Sequence, residues 1–131
     1  MKILLDTQAW IWMVLSPERL SAHAKRHIMK EGNERFLSAA STWEISIKYG
    51  LGKLPLHEPP ALFIPRLLTT TRTLPLAIQH SHAIRTADLP PHHKDPFDRL
   101  LIAQALVEDI PIMTSDFEMF SKYGVKIVKA V

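Results

Sequence analysis

The sequence predicts an α/β fold in which a parallel sheet is covered by helices on both faces. Three observations carry this expectation. Short apolar, strand-like runs alternate with segments of helical periodicity along the whole chain, the pattern of strand–helix–strand crossovers. The chain has 131 residues and is 47% hydrophobic, enough for one compact domain spanning 1–131 with its own core and too little for two. Apolar runs also stop abruptly at acids, as at Asp6 and at Ser115-Asp116.

The elements follow in order. Residues 2–5 (KILL) form the first strand, and Trp10, Ile11, Val14 and Leu15 give helical spacing over 7–15, stopped by Ser16-Pro17. Ser21 caps a second helix to about Lys30, with Gly32 as its stop. ERFLSA (34–39) is the second strand. Ser41-Thr42-Trp43-Glu44 reads as a capping box that opens a helix ended by Gly50 or Gly52. A proline-rich loop at 57–60 leads to a helix over 61–68. TLPLAI (73–78) is a weak third strand whose Pro75 suits a sheet edge. Residues 79–88 form a helix, and the linker LPPHHK delivers the chain to a helix capped by Asp95, with Pro96 at its first position and Asp98 in its first turn. That helix ends near Asp109. IPIMT (110–114), a short helix over 117–122, and VKIVKAV (125–131) complete the chain.

Composition removes several classes of function. There is no cysteine, so disulfides and thiolate metal sites are excluded, and a reducing cytoplasm suits the chain. Asp6 and Gln8 interrupt the N-terminal apolar run, which therefore does not read as a signal peptide, and no run reaches the roughly 18 apolar residues of a membrane span. The expectation is a cytoplasmic protein with no membrane partner. A net charge of +3 permits a nucleic-acid partner without requiring one.

Four acids mark strand ends or helix starts. Asp6 follows the first strand, Glu44 lies in the first turn after the second, Asp98 opens the helix before the fourth, and Asp116 follows the fourth. In an open α/β sheet the ligand crevice lies at the carboxyl ends of the strands, where strand order reverses. If the first and fourth strands are neighbours there, Asp6 and Asp116 enter one crevice. Asp98 reaches the same edge only if the LPPHHK linker carries its helix there. Like charges at 4 Å repel by about 4 kcal/mol at an effective dielectric of 20, so such a cluster holds protons or binds a cation. An all-oxygen donor set favours a hard ion, Mg²⁺ or Mn²⁺. That ion would attract a phosphodiester and, with a carboxylate base, set up in-line attack by water.

LLDTQAWIW, STWEISIKYGLGKL, HKDPFDRLLIAQA and TSDFEMF, in this order, resemble the PIN-domain nucleases, and specifically the VapC-like toxins of bacterial toxin–antitoxin pairs. The resemblance covers nearly the whole chain. It implies a three-layer α/β/α domain with a parallel five-stranded sheet, and metal-dependent cleavage of RNA inhibited by a small antitoxin protein. The family's four acids carry over to Asp6, Glu44, Asp98 and Asp116. Asp6 and Asp98 are expected as direct metal ligands; Glu44 and Asp116 bind metal directly or through water and help activate the nucleophile. Thr7 and Ser115 stand where the family often has small hydroxyl residues.

Arg99 is a further substrate-binding candidate, through a phosphate contact or a pair with a neighbouring acid. Lys48 and Lys53 are solvated lysines by default, with phosphate contact the alternative. His23 and His27, four apart on one helix, lack a third ligand and read as an exposed face. His80, His82, His92 and His93 read as surface histidines before they read as groove residues, and Trp10, Trp12 and Trp43 as core or interface before base-stacking surfaces. Trp12 and Met13 in the first helix mark a possible homodimer or antitoxin surface.

Two other readings compete. One is a phosphatase-like phosphoryl-transfer domain, which usually has a second acid two residues after the first, where this chain has Gln8. The other is a non-catalytic RNA- or protein-binding module whose acids only cap helices. Glu44 and Asp98 fit that module, but Asp6 and Asp116 show no evident capping duty.

Overall fold

The computed structural model describes residues 1–131. Its elements are β1 (Lys2–Leu5), α1 (Thr7–Leu15), α2 (Ala22–Met29), β2 (Glu34–Ser38), α3 (Ala39–Gly50), α4 (Pro60–Thr70), β3 (Thr73–Leu76), α5 (His80–Arg85), α6 (Pro96–Glu108), β4 (Ile112–Thr114), α7 (Phe117–Phe120) and β5 (Ile127–Lys129), with single 3₁₀ turns at Pro17–Arg19, Thr86–Asp88 and Ser121–Tyr123. The strands form one sheet in the order β3-β2-β1-β4-β5, and every pairing is parallel. β1 is therefore central, and β1 and β4 are the neighbours between which the order reverses. This is the three-layer α/β/α arrangement. No helix is long and apolar enough to cross a membrane.

The pleat sorts β1 between two cores. Ile3 and Leu5 face one side with Ala9, Trp10, Ala24, Ile28, Phe63 and Ile64, which are carried by α1, α2 and α4. Leu4 faces the other side with Leu101, Ile102, Ala105 and Phe120, mostly from α6. Successive strand residues point to opposite faces, so a strand buried on both faces must be apolar at every position, as KILL nearly is.

Trp10 is fully buried and meets Phe63 edge to face, with ring centroids 6.3 Å apart. Trp10→Ala is expected to cost about 3–5 kcal/mol, read as a shift in urea midpoint. Trp10→Phe should cost clearly less, because Trp10 Nε1 has no hydrogen-bond partner to lose.

Several boundaries differ from the sequence expectation. α3 starts at Ala39, capped by Ser38, whose Oγ accepts from the Ala40 N–H at 3.0 Å. The expected capping box at Ser41 is therefore not the cap; Ser38, three residues earlier and already extended at φ −71° and ψ 146°, takes that role. Glu44 consequently sits inside the helix rather than in its first turn. The expected strands over 73–78, 110–114 and 125–131 shorten to the three or four residues that pair with a neighbour, and β3 is an edge strand, as Pro75 requires.

Candidate active site

Four chain segments converge at the carboxyl edge of β1 and β4. Asp6 is the residue after β1, and it caps α1 by accepting the Ala9 N–H at 2.7 Å. Asp116, after β4, caps α7 through the Met119 N–H at 3.3 Å. Both acids thus have the capping duty that the sequence did not reveal. Asp95 caps α6 as expected, accepting from the Phe97 and Asp98 N–H groups, with Pro96 at the first helical position. α6 runs back across the sheet from this edge, so its first turn brings Asp98 beside the strand ends.

These residues surround one cavity of about 220 Å³, lined by Asp6, Thr7, Glu44, Asp98, Ser115 and Asp116. Gln8, Lys48 and Asp95 also line it, with Ile11 and Phe120 as its apolar walls. All of these polar groups except Gln8 are candidates for capping, metal or phosphate contact from the sequence alone. Gln8 faces the cavity from the first turn of α1, and its place two residues after Asp6 was the available signal. Lys48 lies one helical turn beyond Glu44, and that spacing predicts the ion pair found here, Nζ to Oε2 at 3.0 Å.

The site favours compensation of its negative charge. Asp6 is only 5% exposed, and burial pushes its carboxyl from 3.8 to about 6; the Thr114 hydroxyl and the Ala9 N–H pull it down, and the charges of Asp98 and Glu44 raise it further. Asp98 is also raised, first by burial, against the lowering effect of a hydrogen bond from His93, with Asp95 and Glu44 adding to the rise. Glu44 is 8% exposed, and its Oε1 is buried with no partner. A buried carboxylate oxygen without a donor carries a desolvation cost that a cation would remove. The donors facing the cavity are oxygens from acids, hydroxyls and Gln8 together with one ammonium, a set that suits a hard divalent ion better than a soft one. Thr7 Oγ1 donates to Ser41 Oγ at 2.8 Å, in a buried contact that ties α1 to α3 beside the acids.

Arg99 departs from the expectation. Its guanidinium meets neither a neighbouring acid nor the cavity. It donates instead to four backbone carbonyls, those of Pro90 (2.9 Å), Thr86 (3.1 Å), His93 (3.3 Å) and Leu89 (3.3 Å). Beyond the 3₁₀ turn at Thr86–Asp88, the linker to α6 has two prolines and no helix or strand, so its carbonyls need donors, and the five-donor fork of arginine supplies them. Arg99→Ala should destabilise the fold by about 2–4 kcal/mol, measured by urea denaturation, and Arg99→Lys should recover only part of that loss.

The histidines divide. His82 is buried rather than at the surface: its Nδ1 accepts the Gln79 N–H at 3.0 Å, and its Nε2 lies 3.5 Å from Glu108. His80 and His92 are exposed, and His92 stacks edge-on against Tyr123. His93 Nε2 lies 2.8 Å from Asp98 Oδ2. His23 and His27 meet edge to face at 4.7 Å on α2, away from the acids. Trp12 is half-buried against the first core beneath the Arg19 guanidinium, and Met13 packs on the same core. Trp43 is 60% exposed and packs edge-on against Phe97.

A family model described as the PIN domain matches residues 3–126. The chain belongs to the PIN-domain family. Within it, a stretch of 50 residues is 50% identical to Ribonuclease VapC16 of Mycobacterium tuberculosis, covering 38% of this chain and 36% of that protein, so the match spans about a third of the relative's length. This PIN domain also superposes on the DNA-bound VapBC of Salmonella typhimurium with a TM-score of 0.76 at 18% identity, covering 100% of this chain and 99% of that one. A toxin–antitoxin complex from Klebsiella pneumoniae matches with a TM-score of 0.65 at 16% identity over 98% of each chain. At these identities the structural matches speak to the PIN fold.

Proposed function

We propose that the chain is a Mg²⁺- or Mn²⁺-dependent endoribonuclease that acts as the toxin of a toxin–antitoxin pair. The observation that carries this reading is the meeting of Asp6, Glu44, Asp98 and Asp116 around one small cavity in which Glu44 Oε1 is buried and unpartnered. The ribonuclease name of the Mycobacterium tuberculosis relative supports the activity. The Klebsiella pneumoniae toxin–antitoxin complex supports an antitoxin as partner. A homodimer and residence in the cytoplasm belong to the same reading.

Asp6 and Asp98 would hold the ion directly, and Glu44 and Asp116 would hold it directly or through water. When bound, the ion supplies Lewis acidity at a phosphodiester oxygen and lowers the pKa of a water molecule. Glu44 or Asp116 takes the proton from the attacking water. Lys48, at the cavity wall, turns its ammonium to the phosphate, while the Ser115 hydroxyl donates a hydrogen bond to its oxygens; the Thr7 hydroxyl, which already donates to Ser41 Oγ, holds α1 and α3 together beside it. A cavity of about 220 Å³ is smaller than the roughly 300–1,000 Å³ of clefts that enclose whole small ligands. It therefore admits the phosphodiester and leaves the bases outside.

The test is incubation of the purified chain with transfer, ribosomal and messenger RNA, with Mg²⁺, with Mn²⁺ and with excess chelator. Cleavage that requires the divalent ion is expected. Intact RNA in every divalent condition would sink the reading. The binding-module alternative draws on one observation, the capping roles of Asp6 and Asp116. Calorimetry showing no Mn²⁺ uptake, alone and with RNA, would favour it.

A further inference from the structure

We infer that His93 is a positioning residue for Asp98: its imidazole clips one oxygen of that carboxylate and leaves the other to face a divalent ion. This rests on the metal-site reading above and assigns it a component outside the four acids.

The geometry begins with the linker. Arg99 holds the carbonyls of Leu89, Pro90 and His93 together with that of Thr86, so the backbone on either side of the two prolines is fixed to the first turn of α6. From that fixed backbone the His93 side chain reaches forward to Asp98, with Nε2 and Oδ2 2.8 Å apart. Asp95, between them, is occupied in capping, its Oδ1 accepting from the Phe97 and Asp98 N–H groups. HKDPFDR is thus a closed unit: Asp95 starts the helix, Arg99 grips the loop, and His93 returns the loop onto Asp98.

An unrestrained aspartate turns freely about its terminal torsion and presents either oxygen. A hydrogen bond to Oδ2 fixes that torsion and leaves Oδ1, which has no protein donor, as the oxygen for an ion. Partners of this kind orient ligating carboxylates, and their loss costs roughly 10–100-fold in metal affinity or activity. A second geometry is available to the same atoms, because His93, Asp95 and Asp98 each offer one ligand atom within 4.8 Å of the others. In that arrangement His93 would leave Asp98 and bind the ion itself. The 2.8 Å contact and the tethered backbone favour the clip.

The experiment uses the full chain as wild type, His93→Ala and His93→Gln, with Mn²⁺ binding followed by electron paramagnetic resonance and folding by thermal melt. Expected are unchanged melts, Mn²⁺ binding weakened roughly 10–100-fold in His93→Ala, and recovery to within a few-fold in His93→Gln, whose amide also donates. The wild-type spectrum should show no nitrogen coupled directly to manganese. RNA cleavage should fall in kcat for His93→Ala with KM little changed. Binding by His93→Ala equal to that of wild type overturns the inference alone, as does a directly bound nitrogen in wild type that disappears in both variants. Failure of wild type to bind Mn²⁺ at all removes the metal-site reading and this inference with it.

Discussion

Asp6→Asn and Asp98→Asn are each expected to lower metal-stimulated RNA cleavage by on the order of 10²–10³, since a bound ion contributes several kcal/mol at the transition state and each 1.4 kcal/mol is tenfold. The fold should survive both changes. The carbonyl oxygen of an asparagine at position 6 still accepts the Ala9 N–H, so the cap on α1 is retained. At position 98 the amide still meets His93. Cleavage of a defined RNA, measured beside a far-ultraviolet circular dichroism melt, separates lost chemistry from lost structure. Full activity in both variants would remove the proposed mechanism.

The second large effect concerns stability. Asp6 titrates at about 6 in the folded chain against 3.8 for an ordinary aspartate, chiefly because it is buried. Between those values the folded chain keeps a proton that the unfolded chain has released. The contribution of this group is therefore complete below about pH 4, falls as pH rises through the window, and is gone above about pH 6, a loss on the order of 3 kcal/mol. Asp6→Asn carries no charge to bury. Without divalent ion, the variant should match wild type near pH 4 and exceed it by up to about 3 kcal/mol at pH 7.5. Mn²⁺ should reverse the order at pH 7.5 by stabilising wild type alone, since an ion bound only by the folded state adds to its stability. Urea midpoints at the two pH values, with and without Mn²⁺, check both arms. An unchanged difference between the two pH values would mean that Asp6 is not under electrostatic load.

Much of this was legible in the residues because it is local. The strand–helix alternation, the Asp95-Pro96 start of α6 and the edge position of Pro75 depend on a few neighbouring positions. Asp6, Asp98 and Asp116 were legible as a set, because each stands beside a strand end or at a helix start, whereas Glu44 lies beyond the first turn of a helix that begins earlier than its own stretch suggests. What escaped depends on contacts across longer separations. Ser38 and Ser41 are chemically equivalent caps, and only the point where β2 stops pairing with β3 at Ser38↔Leu76 decides between them. Arg99 reads as a phosphate binder until the linker folds back to within reach of its fork. His82 looks like a surface residue until Gln79 and Glu108 close over it. A sequence displays the kind of side chain, whereas its direction is set by backbone met in three dimensions.

The helix starts at Asp6 and Asp116 bear on when the protein becomes competent. Because these carboxylates are held by backbone amides, the chain does not wait for an ion to gather them. A chelator should silence it without unfolding it, and returning the ion should restore activity within mixing time rather than refolding time. On the proposed metal-dependent reading, supply of the ion, and whatever obstructs the mouth of the cavity, would then govern what a finished molecule can do.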